Sequence, residues 1–164
     1  GLTVVILSGD LDVLQLVSGD SVVAHIMKTG MSDIIPYNEA AVIQKYGLRP
    51  DQLPDYKALV GDASDNIPGV SGVGQKTARI LLEEFKNLEG VYENIGIVPA
   101  KIAKLLAEEN KQAFLSRPLA TISRDISLGA LSLEKLRPAS IPNEAIASYL
   151  GHFGFSSFVK RLNL

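Results

Sequence analysis

The sequence predicts an α/β fold in which a few strands lead into a mostly helical remainder. Three observations carry this. The β-branched run Thr3-Val4-Val5-Ile6-Leu7-Ser8, followed by Gly9-Asp10, reads as a buried parallel strand that ends in a loop. The middle of the chain is a string of helical segments set off by capping residues and glycine stops. Between two of those helices lies a glycine-spaced turn, Pro68-Gly69-Val70-Ser71-Gly72-Val73-Gly74, with Asp62 and Asp65 just ahead of it.

Taken in order, Thr3 to Ser8 has the pattern of an interior strand but no flanking element before it, so the chain is expected to open part-way through a sheet domain. Asp12 to Val17 follows as a short helix with an aspartate near its N-cap. Ser21 to Met27 and Ser32 to Tyr37 form a hairpin around Lys28-Thr29-Gly30-Met31. Asn38 caps Glu39 to Tyr46, and Gly47 stops that helix. Arg49-Pro50-Asp51 opens Gln52 to Val60, which runs into the acids. Gln75 to Phe85, Leu88 to Asn94 and Pro99 to Glu109 are helical. The last places Ile102, Leu105 and Leu106 opposite Lys101, Lys104 and Glu108. Lys111 to Leu115 continues the helical region. Leu119 to Ser123 and Asp125 to Leu128 read as extended segments returning to the sheet. A proline-marked linker, Leu136 to Pro142, precedes helices Asn143 to Phe153 and Ser156 to Leu162, whose Phe153, Phe155 and Phe158 are expected in a core.

Composition narrows the function. A chain of 164 residues is one domain's worth and can bury a core. The absence of cysteine excludes disulfides and thiolate metal sites and fits a cytoplasmic setting. No signal-like start or membrane-length apolar run occurs, so no membrane partner is expected. Net charge is −2, which is not the footprint of a strongly basic nucleic-acid binder. The distribution is uneven, however. Residues 1–65 hold nine acids against four bases, whereas residues 66–124 hold eight bases against six acids.

Two motifs carry chemistry. Asp62 and Asp65, at i and i+3, share a face if the preceding helix continues through them. Asp10 and Asp12 stand at the carboxyl end of the first strand, where open α/β sheets place their ligands. Carboxylates with retained waters suit magnesium or manganese; the competing reading is helix capping. In the turn, Gly72 and Gly74 permit close approach and positive φ. The helix from Gln75 presents free N–H groups, and Lys76 adds a charge, which together suit a phosphate. Such contacts hold a backbone without reading bases. Two nucleotide motifs are excluded. Position 77 is Thr where a dinucleotide fingerprint needs Gly, and Gln75 intrudes where a phosphate loop needs Gly-Lys. His25 and His152 lack nucleophile partners and read as structural.

With these residues in view, the chain resembles the 5′-3′ exonuclease domain of bacterial DNA polymerase I, within the wider 5′-nuclease and flap endonuclease family. The resemblance rests on Ser8-Gly9-Asp10-Leu11-Asp12-Val13-Leu14-Gln15-Leu16, Tyr46-Gly47-Leu48-Arg49-Pro50-Asp51-Gln52 and Gly61 to Val70. It continues through Gly72-Val73-Gly74-Gln75-Lys76-Thr77-Ala78 and Arg124-Asp125-Ile126. It implies a partial Rossmann-like (PIN-like) nuclease core, residues 1–37, and a helix-hairpin-helix region, residues 38–118. Residues 119–164 would hold a strand return and C-terminal helices. It further implies two-metal hydrolysis of DNA near a 5′ end or flap, in replication and repair, in the bacterial cytoplasm at the nucleoid. Asp10, Asp12, Asp62 and Asp65 look like catalytic ligands of the second Mg2+ or Mn2+ ion. Gly69, Val70, Ser71, Gly72, Val73, Gly74, Gln75, Lys76 and Thr77 look like the duplex-gripping hairpin, with a K+ ion on its carbonyls. The acids of the first metal and the strand-threading region match nothing here. The resemblance therefore covers the C-terminal half of the nuclease domain, whose partners would be duplex or flap DNA, the N-terminal half and a fused polymerase. Two other classes stay open: a non-catalytic helix-hairpin-helix module that binds duplex DNA, and a small α/β ligand-binding domain.

Overall fold

The computed structural model describes residues 1–29, 33–138 and 140–164. Two compact units are present, Gly1–Arg124 and Asp125–Leu164.

In the first unit, β1 (Val4–Ser8) pairs in parallel with β2 (Val22–Met27), which pairs antiparallel with β3 (Ile34–Tyr37). The turn expected at Lys28-Thr29-Gly30-Met31, and the start of the third strand at Ser32, fall partly outside the described residues. β1 is not an interior strand in this chain. It forms an edge of the sheet, and Val4, Val5 and Leu7 are about half exposed. Its apolar content needs cover on two faces, and the described residues pack on only part of it. The segment after β1 winds as a 3-10 turn, Leu11–Leu16, one residue earlier than the expected helix. It begins there because Asp10 caps it by accepting the Asp12 N–H.

The helices follow from their caps. Asn38 accepts the Ala41 N–H to start α1 (Glu39–Tyr46), and Gly47 at φ +71 ends it. Then come α2 (Leu53–Val60), α3 (Gln75–Phe85), α4 (Leu88–Glu93), α5 (Ala100–Glu108) and α6 (Asn110–Ala120). The extended return to the sheet expected from Leu119 does not form. Leu119 and Ala120 end α6, and among the described residues no strand follows. The ladder is replaced by a side chain: buried Gln15 donates to Ala120 O (2.7 Å) and accepts from Ile122 N (3.1 Å). That satisfies the backbone of this segment without a β-partner.

Two cores meet at α2. Leu14, Val17, Ala24, Ile26, Tyr37, Val42 and Leu53 pack beneath the sheet. Leu48, Ala58, Leu59, Val70, Val73, Leu82, Leu88 and Leu106 belong to the helical core. Because α2 gives Leu53 to one core and Ala58 and Leu59 to the other, it fixes the sheet end against the hairpin.

The second unit holds α7 (Asn143–His152) and α8 (Ser156–Leu162). The linker expected before α7 contains Ala139, which lies outside the described residues. Phe153 stacks on Phe155 at a centroid separation of 6.3 Å, and Phe155 meets Phe158 edge to face at 5.9 Å. They remain about half exposed rather than buried, since two short helices offer too little surface to enclose three rings.

Candidate functional site

Lys57 projects from α2 toward the carboxyl end of β1, and the acids gather around it. Gly61 ends α2 at φ +83, so Asp62 and Asp65 do not continue a helix as the sequence suggested. They lie in a tight loop instead, closed by reciprocal backbone bonds between Asp62 and Ile67 (2.7 and 2.8 Å). This loop returns the chain to the end of α2. A Cβ on Gly69 would lie 2.3 Å from Gly61 N, so the hairpin is backed directly onto the acid loop.

Carboxylate oxygens of Asp12, Asp62 and Asp65 lie within 4.8 Å of one another, although about fifty residues of chain separate Asp12 from the other two. Asp10 lines the same cleft, whose volume is about 620 Å3, but is outside this trio. Its carboxylate is turned to the Asp12 N–H (2.9 Å), so it orients the turn that carries Asp12.

Lys57, which the sequence reading passed over, is central. Its Nζ pairs with Asp12 Oδ1 and, at 2.6 Å, with Asp62 Oδ2. All three side chains are mostly buried. The Lys57 hydrogen bond, followed by that from the Ser64 hydroxyl, holds the Asp62 carboxyl down at about 2. Burial pulls the Lys57 ammonium downward, but its bonds to Asp12 and Asp62 outweigh that and raise it. Its position in the sequence, five residues before Asp62 and so on the helix that delivers the acids, was the available signal.

The hairpin divides into anchors and exposed positions. Val70 and Val73 are buried (2% and 4% exposed) and fasten the turn to the helical core, so only their backbone can face a ligand. Gly72 takes φ +81, and its missing side chain makes room for Leu105, whose Cδ1 would lie 3.0 Å from an added Cβ. Gly74 faces open space and provides no capping side chain. The first amides of α3, at Gln75, Lys76 and Thr77, are therefore left to water or an anion. Ser71 N donates to Glu109 Oε2 (2.8 Å), which lowers the Glu109 carboxyl, so this amide of the turn is already taken by a carboxylate of the chain.

Residues 48–144 match the family model described as 5′-3′ exonuclease, C-terminal SAM fold. The chain belongs to the 5′-3′ exonuclease family. Among curated relatives of the chain, DNA polymerase I of Caldicellulosiruptor bescii is 43% identical, across 100% of this chain and 19% of that protein. DNA polymerase I of Bacillus subtilis (strain 168) is 40% identical, across 99% of this chain and 18% of that protein. The chain spans about a fifth of the length of the curated relatives it matches. Among solved structures, T5 5′-exonuclease with divalent zinc ions bound superposes with TM-score 0.63 at 23% identity, covering 72% of this chain and 42% of that one. The catalytic core of Rad2 in complex with a DNA substrate gives TM-score 0.56 at 15% identity, covering 88% and 50%. These likenesses establish a shared α/β fold with a helical hairpin region. No helix among the described residues is long and apolar enough to cross a membrane.

Proposed function

We propose that this 5′-3′ exonuclease chain sets one divalent-metal site and grips duplex DNA beside it, serving phosphodiester hydrolysis near a 5′ end or flap junction. The observation that carries the reading is the meeting of Asp12, Asp62 and Asp65 in a cleft backed onto the glycine hairpin. Three hard oxygen donors, partly open to water, fit Mg2+ or Mn2+. Asp12, Asp62 and Asp65 would hold the ion, with Asp10 orienting Asp12. When bound, a pair of such ions supplies Lewis acidity and an activated water to phosphodiester cleavage. The chain's own share is positioning. The first α3 amides hold backbone phosphates, and the packing of Gly69 on Gly61 keeps that grip in register with the acids. A K+ ion on the hairpin carbonyls, the acids of the other metal, a fused polymerase and work at the bacterial nucleoid belong to the same reading. It draws on the named relatives and on the Rad2–DNA complex.

Asp62→Asn or Asp65→Asn, placed in the full-length parent, tests it. Cleavage of a 5′-flap substrate in Mg2+ should drop at least about 100-fold, the upper end of what outer partners of a metal already cost. Duplex affinity should change little. Equal losses of both would remove the catalytic role. A second reading, a non-catalytic duplex binder, is favoured by one observation: Lys57 already pairs with both Asp12 and Asp62. Titration of the isolated chain with Mn2+, followed by its electron paramagnetic resonance, separates the two. Binding that Asp65→Asn weakens supports the nuclease.

A further inference from the structure

Beside the acid cleft lies a second one of about 550 Å3, lined by Lys45, Tyr46, Tyr56, Gln75, Lys76 and Arg79. Tyr46, Tyr56 and Gln75 line both, so the two clefts of opposite charge are separated by a tyrosine pair. Those rings meet edge to face at 6.0 Å. The cations of the second cleft come from two elements, Lys45 from the last turn of α1 and Lys76 and Arg79 from the first turns of α3. No carboxylate lines it.

Two of these cations are held in place. Lys45 Nζ donates to Tyr37 Oη (3.1 Å) and lies 5.2 and 5.5 Å from the Tyr37 and Tyr46 ring centroids. The Arg79 stem rests against Gly47, where a Cβ would lie 2.3 Å from Arg79 Cδ. The glycine that ends α1 therefore also seats this arginine. Its ion pair with Glu83, at 3.9 Å and half exposed, is weak enough to leave the guanidinium available.

We propose that Lys45 and Arg79 form a phosphate-binding subsite that holds the DNA strand next to the bond presented to the acid cleft, additional to the hairpin grip. This rests on the nuclease reading above, because the ligand is the same nucleic-acid strand. A preordered pair of cations in a concave, aromatic-walled cleft suits a backbone phosphodiester flanked by a base or sugar. The contact is independent of sequence.

The test is duplex DNA with a 5′ overhang, titrated into the 164-residue chain across a salt series and followed by fluorescence anisotropy. Lys45→Gln/Arg79→Gln keeps both stems and removes both charges. It should weaken binding about 10-fold or more at low salt and reduce the slope of log K against log salt by about one, for the single phosphate no longer neutralised. Lys45→Arg/Arg79→Lys should keep the slope. If the unaltered chain binds and the Gln pair leaves affinity or slope unchanged, the subsite is overturned while the hairpin grip stands. If the unaltered chain shows no salt-sensitive binding, both fall together.

Discussion

Lys57 is the side chain whose removal reports most about the acid cluster. It is a cation set between Asp12 and Asp62, with little solvent to screen them. Lys57→Ala would leave two close carboxylates without a counter-charge and should destabilise the chain by about 1–3 kcal/mol, between the costs of exposed and buried pairs. Mn2+ or Mg2+ should recover that loss, since an ion bound only by the folded state stabilises it. The expected outcome in thermal melts is a lower Tm without metal and a larger rise on adding Mn2+ than the unaltered chain shows. An identical response to metal in both proteins would mean that lysine and ion do not share the site. The sequence named the acids because Asp after a strand and Asp before a glycine turn are local signals. It did not name Lys57, because the five-residue offset from Asp62 is a weak mark that gains meaning only when the neighbours in space are known.

At the scale of elements, α2 joins the site to the rest of the fold. On the side away from the acid cleft it presents buried Asp55, which accepts the Leu88 N–H (3.2 Å) and faces Arg117 (3.5 Å). Arg117 also pairs with Glu89 at 2.6 Å. Burial raises the Asp55 carboxyl against the pull of these partners, whereas the Arg117 hydrogen bond lowers that of Glu89. The two act in opposite senses. Glu89 contributes stability that is present above its unfolded value near 4.5 and is lost as pH falls through its lowered folded value. Asp55 favours the protonated form in the fold, so acidification helps it. Glu89→Gln should therefore flatten the loss of stability below pH about 4.5 in urea melts. The gain is under about 1 kcal/mol, because Glu89 is half exposed. Between elements, Gly69→Ala should be far more severe. The added Cβ meets the Val60 and Gly61 backbone at 2.3–2.5 Å, and φ +65 disfavours any L side chain. A loss of at least about 1–2 kcal/mol is expected from conformation alone. Duplex affinity measured on the folded fraction should fall with it, because the hairpin loses its seat. Unchanged melting would show that the loop relaxes freely.

Across the whole first unit, the proposed function rests on an electronegative cleft, an amide-rich turn and a basic cleft lying side by side. The proposed DNA grip is compatible with a net charge of −2 because the charges are segregated, not because they sum to a positive value. The helices and their caps were legible in the sequence since Asn38, Gly47 and the glycine turn act on their immediate neighbours. The supposed strand return after Leu119 was misread for the converse reason. Its extended look is local, but the partner that satisfies it is the buried Gln15 side chain more than a hundred residues earlier.

What the sequence determined by itself was the first three strands and the helices, the kind of ligand each motif suits and the α/β class, all properties of residues close together along the chain. Tertiary structure alone decided that three of the four aspartates converge, with Asp10 turned to cap its own turn, and that Lys57 stands among them. Distances between side chains fifty residues apart are set by how α2 packs into two cores, and no local pattern encodes that packing.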